Sequence, residues 1–112
     1  METYETVLRT PELGPGDVAE VHAHGRSIAV ANVGQTYYAV AAQCPVDGTN
    51  LARDGHLDGD LLVCPNDHAR FDVRTGMQVD AVERHELQPH SIRVEGNEVR
   101  VGPPRSEGFE RG

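Results

Sequence analysis

Two segments of this 112-residue chain open on the same four-residue pattern, Cys-Pro-x-Asp: Cys44-Pro45-Val46-Asp47 and Cys64-Pro65-Asn66-Asp67. They hold the chain's two cysteines, with nineteen residues between them. Two cysteines are too few for a disulfide scaffold. The separation is also unlike a zinc ribbon, which needs two Cys-x-x-Cys pairs. The pair reads instead as two ligand-bearing loops, held side by side by a framework that the rest of the chain must supply.

That framework reads as antiparallel β-structure. Residues 4–8 form a short apolar run, closed by Pro11, and Gly14-Pro15-Gly16 makes a turn. Over residues 18–23 the pattern alternates, with Val21 and Ala23 on one face and Glu20, His22 and His24 on the other. Gly25 and Gly34-Gln35 are hairpin signals, around predicted strands at residues 27–33 and 36–41. Residues 51–57 are rich in Gly and Asp and read as a loop before the apolar strand 61–63. Phe71-Asp72-Val73 and the turn Thr75-Gly76 follow. Strands at 91–95 and 98–101 flank Gly96-Asn97, a two-residue hairpin turn. The expected fold class is all-β: an antiparallel sandwich or barrel in one domain over residues 1–103. A small site-bearing subdomain is inserted at about residues 42–76, and residues 104–112 form a polar, disordered tail.

The cysteine frame and its flanks resemble a Rieske domain. That family follows Cys-x-His with 15 to 17 residues and then Cys-x-x-His, two Cys holding one iron of a [2Fe–2S] cluster and two His the other. Here Cys44-x-Val46 is followed by seventeen residues and then by Cys64-x-x-Asp67. Gly48 and Leu51 stand where the family has Gly and Leu. Gly55, Leu57, Gly59 and Asp60 match its hairpin between the loops, and Phe71-Asp72 and Thr75-Gly76 match the segment after the second ligand pair. The resemblance covers about residues 3 to 101. It implies an electron carrier rather than an enzyme, with a reductase or an oxygenase as protein partner.

Four places depart from the family pattern. Val46 replaces the first histidine and has no lone pair to offer a metal. Asp67 replaces the second, a hard oxygen donor where the family uses imidazole. His68 stands one place further on, where the family has Gly, and the Gly-Pro of the covering loop falls near Ala81-Val82. Four readings of the site stay open. In the first, Cys44 and Cys64 hold one iron of a [2Fe–2S] cluster with atypical ligands. His68 or Asp67, with Asp47, then holds the other, and the added carboxylate charge lowers the reduction potential. In the second, a single zinc or iron ion sits on Cys44, Cys64, His68 and one of Asp47 or Asp67. In the third, a Cys44–Cys64 disulfide closes a cluster-free Rieske fold that serves as a subunit or binding module. In the fourth, both cysteines are free and packed as small hydrophobes.

The remaining histidines read as structural or surface residues. His22 and His24 look like the solvated side of an edge strand, His56 like an exposed loop residue, and His85 and His90 like surface among charged neighbours. Tyr37-Tyr38 is expected to place one ring in the core and one at the surface, and Phe71 to anchor the second loop. A formal net charge of −8 argues against a nucleic-acid partner, which needs clustered Lys and Arg. No run approaches the 18 apolar residues of a membrane span. The start of the chain lacks a secretory signal pattern, so the expected compartment is the cytoplasm. There is no nucleophile elbow, phosphate-binding loop or His-Glu-x-x-His motif.

Overall fold

The computed structural model describes residues 3–66, 68–79 and 85–105. Ten strands fall into two antiparallel sheets. The larger is built from β1 (Glu5–Arg9), β2 (Val18–Ala23), β3 (Arg26–Val33), β4 (Thr36–Ala41), β9 (Pro89–Glu95) and β10 (Glu98–Pro104), in the order β1-β10-β9-β4-β3-β2. A single 3-10 turn, Thr10–Glu12, follows β1. The outer strands β1 and β2 approach each other, so this sheet curls into a nearly closed barrel. The smaller sheet holds β5 (His56–Asp58), β6 (Leu61–Val63), β7 (Arg70–Asp72) and β8 (Gln78–Val79) in sequential order. Along the chain it lies between β4 and β9 of the larger sheet. No helix among the described residues is long and apolar enough to cross a membrane.

Strand β3 explains how the sheets combine. Five consecutive residues, Ile28 to Asn32, are buried, so both of its faces are covered. Side chains alternate across a strand. Ile28 and Val30 therefore join Val21, Tyr37, Ala39, Val99 and Val101 inside the barrel. Ala29 and Ala31 face the other way, where they meet Leu51, Leu62, Phe71, Val73, Leu87 and both cysteines. Alanine on that face leaves room for the small sheet to lie close. Tyr37 is the buried ring, inside the barrel, and Tyr38, expected at the surface, is half-buried against the second cluster.

The predicted hairpins form with their registers set by two-residue turns. Val33 pairs with Thr36 across Gly34-Gln35, and Glu95 pairs with Glu98 across Gly96-Asn97. Gly34 and Gln35 both have positive φ, 59° and 78°, the type I′ pattern whose twist suits antiparallel strands. Four expectations need correction. Residues 56–58, read as loop from their Gly/Asp-rich surroundings, form β5, because Leu57 lies opposite Leu62 across a tight turn at Gly59-Asp60. His24 is not a solvated edge residue. It occupies the β2–β3 turn with φ 54°, and its Nε2 donates to the Val101 carbonyl. His90 is not at the surface: it is 1% exposed, and Nδ1–H donates to the Gly102 carbonyl. Burial pushes its pKa down and keeps the ring neutral. Finally, β10 continues to Pro104, and the Arg105 N–H bonds to the Pro89 carbonyl, so residues 104 and 105 belong to the framework; residues 106–112, the rest of the expected tail, lie outside the described residues.

Candidate metal centre

Two loops built alike carry the cysteines. The first leaves the end of β4 and is closed by the Gln43–Asn50 bridge. In it the Cys44 N–H bonds to the Thr49 carbonyl, and the Gly48 N–H returns to the Cys44 carbonyl. The second leaves β6. There the Cys64 N–H bonds to the Ala69 carbonyl, and the His68 N–H returns to the Cys64 carbonyl. The residue that closes each turn, four places after the cysteine, has a left-handed backbone: Gly48 at φ 80° and His68 at φ 62°. Glycine takes that conformation freely, whereas a side chain there costs roughly 1–2 kcal/mol. His68 thus holds a turn position in the second loop, and its side chain is exposed.

The loops bring three donor atoms together. Cys44 Sγ, Cys64 Sγ and a carboxylate oxygen of Asp47 all lie within 4.8 Å of one another. Both thiols are free and buried, 1% and 0% exposed, in the cluster that joins the two sheets. The disulfide of the third reading is therefore not formed. Asp47 is exposed and sits at the rim. Its Oδ1 accepts the Thr49 N–H at 3.0 Å, and its Oδ2 accepts Asn66 Nδ2 at 3.2 Å and the Cys64 thiol at 3.8 Å. Asn66 also donates to the Thr49 hydroxyl at 2.8 Å, which ties the second loop to the first. Val46 is 47% exposed at the tip of its loop. Asp67 and the Ala81-Val82 segment lie outside the described residues, and His68 stands outside the three-atom group.

Electrostatics separate the donors. Burial pushes the Cys44 thiol up and favours its protonated form in the absence of a cation. Asp47 is pulled down to about 2, first by the Thr49 hydroxyl and N–H and then by Asn66. Its folded pKa lies below the ordinary value of about 3.9. It therefore adds stability that is present above pH 4 and lost as the pH falls toward 2. Replacing Asp47 with Asn should flatten that part of the acid limb, seen as a smaller drop in melting temperature between pH 5 and pH 2.5. An unchanged drop would assign the acid sensitivity to other carboxylates.

Thr49 and Asn66 are site residues that sequence reasoning passes over. The Asp-x-Thr spacing of an Asx-type turn offers a signal for the first. Nothing local marks Asn66, whose partners lie seventeen and nineteen residues away.

Comparison with known proteins places the fold and the loops in one family. The model of the Rieske [2Fe-2S] domain matches residues 3–101. The chain belongs to the Rieske family. It is 30% identical over 99 residues to the biphenyl dioxygenase ferredoxin subunit of Pseudomonas sp. (strain KKS102), covering 88% of this chain and 91% of the relative. Among solved structures, the ferredoxin of carbazole 1,9a-dioxygenase from Nocardioides aromaticivorans IC177 is 26% identical with a TM-score of 0.83, over 90% of this chain and 98% of that one. A chain in the complex of reduced oxygenase and oxidized ferredoxin of carbazole 1,9a-dioxygenase is 30% identical, with a TM-score of 0.80 over 88% and 91%.

Family membership raises the question of the cluster. The two buried thiols fit the half of a [2Fe–2S] ligand set that cysteine supplies. The imidazole half does not fit. Val46 offers no lone pair, and His68 is turned out to solvent at a backbone position set by the turn. The described residues therefore do not match the two-Cys, two-His ligation of this Rieske family.

Proposed function

We propose that this chain is the small ferredoxin-type component of an oxygenase system, an electron-carrying protein that docks on a reductase and on an oxygenase rather than a catalyst itself. The observation that carries this reading is the pairing of an end-to-end ferredoxin fold with two buried thiols at the bases of two cross-tied loops. A small domain with its metal-binding residues beside an exposed loop tip suits handing an electron between two larger proteins. The redox centre is held by Cys44 and Cys64, with oxygen donors replacing the family's imidazoles. Carboxylate in place of neutral imidazole adds negative charge, stabilises the oxidised state and lowers the potential below the family's range of about −150 to +300 mV. The net charge of −8 suits a basic docking face on a partner.

The test is the visible spectrum of anaerobically purified protein, alongside its iron content. Thiolate-bound iron is expected to give a charge-transfer band that bleaches on reduction and returns on oxidation. A colourless chain without iron would overturn the carrier reading. It would favour a second one, a cluster-free subunit or binding module, to which the Cys64–Asp47 hydrogen bond also points because it satisfies the site without a metal.

A further inference from the structure

We propose that the Cys44–Cys64–Asp47 trio binds one tetrahedral divalent ion of the iron or zinc class, in place of the family's binuclear cluster. The proposal rests on reading the thiol pair as a metal site, as above, and adds its nuclearity and its third ligand. Metal–sulfur bonds of about 2.3 Å and metal–oxygen bonds of about 2.1 Å at tetrahedral angles set neighbouring donor atoms roughly 3.5–3.8 Å apart. Cys64 Sγ and Asp47 Oδ2 are 3.8 Å apart, and all three donors lie within 4.8 Å of one another. Donors at opposite ends of a binuclear cluster stand further apart, since two ions and their bridging sulfides lie between them. The spacing of Asp47 from Cys64 is that of ligands sharing one ion, and Cys44 lies within 4.8 Å of both.

Two further observations support the carboxylate as a ligand. Thr49 and Asn66 hold its oxygens from both loops, the kind of outer contact that fixes a ligating carboxylate in place. Val46, where the family carries an imidazole, is exposed and cannot coordinate. Two thiolates and one carboxylate leave the fourth position to water on the exposed side of Asp47. Binding releases the two thiol protons to solvent, so the ion enters as a dication and leaves a site of net charge −1.

The test starts with iron, zinc and acid-labile sulfide in the full chain as purified. Cobalt(II) chloride is then titrated into the reduced, chelator-stripped protein under argon. One equivalent of cobalt should produce thiolate-to-cobalt bands in the near ultraviolet and tetrahedral d–d bands in the visible. Asp47→Asn should weaken binding at least tenfold while its circular dichroism stays that of the parent. Two irons with two labile sulfides per chain would overturn the single ion and leave the carrier function standing. A single redox-silent zinc would support the site and overturn the carrier function. Absence of tetrahedral cobalt bands, or an Asp47→Asn variant with the parent's affinity, would overturn the proposed ligand set.

Discussion

Replacing Gly76 with Ala is expected to destabilise this protein by about 3–6 kcal/mol, read as a fall in the urea midpoint. Gly76 has φ 82°, and a β-carbon there would lie 1.9 Å from the Leu87 carbonyl oxygen, far inside contact distance. Left-handed backbone with a side chain costs roughly 1–2 kcal/mol. Moving Leu87 away would also strain the bond from its N–H to the Gly76 carbonyl, and displace a side chain that is 1% exposed in the core beneath the cysteine loops. A lost backbone bond adds about 1 kcal/mol and disturbed packing another 1–3. The sum is a large share of the 5–15 kcal/mol typical of a folded domain. A loss below about 1 kcal/mol would show that Leu87 shifts without cost, and would remove Gly76 as the reason for the Thr75-Gly76 turn.

Phe71→Ala should cost a similar amount, about 3–5 kcal/mol, by a different route. Phe71 is the largest fully buried side chain, on β7 opposite Leu62. It fills the space between the small sheet and the alanine face of β3, in the cluster that also holds Cys44, Cys64 and Leu51. Truncation removes the ring's burial and leaves a cavity, because the strands around it are tied by their ladders and collapse only in part. The consequence reaches the site. Both thiols should react with Ellman's reagent faster in the folded variant than in the parent. Phe71→Leu, which keeps most of the volume, should cost less than half as much and leave the thiols protected. A Phe71→Ala variant with parent-like midpoint and slow thiols would mean that the cysteine loops do not depend on this core.

Local features carried much of the architecture. The turns Gly34-Gln35 and Gly96-Asn97 are readable because left-handed backbone restricts residue choice at Gly34, Gln35 and Gly96, and both form with two-residue register. Phe71 is buried as expected of a loop anchor, and Tyr37 is the core ring of the Tyr37-Tyr38 pair. His90 was illegible for the opposite reason. Its sequence neighbours are charged, but the β9–β10 hairpin folds Gly102 over it and supplies the acceptor that makes burial tolerable. His24 likewise depends on Val101, seventy-seven residues away.

At the site, spacing along the chain determined that two Cys-Pro loops stand on a Rieske frame and that two imidazole positions are lost. Those facts depend only on residue identity and on intervals within single loops. Which of the spare donors turns inward was decided by tertiary structure. His68 is spent on a left-handed turn and faces solvent, whereas Asp47 is drawn across to Cys64 by Thr49 in its own loop and Asn66 in the other. Direction in an irregular loop is set by hydrogen bonds between segments, and no interval counted along one chain encodes them.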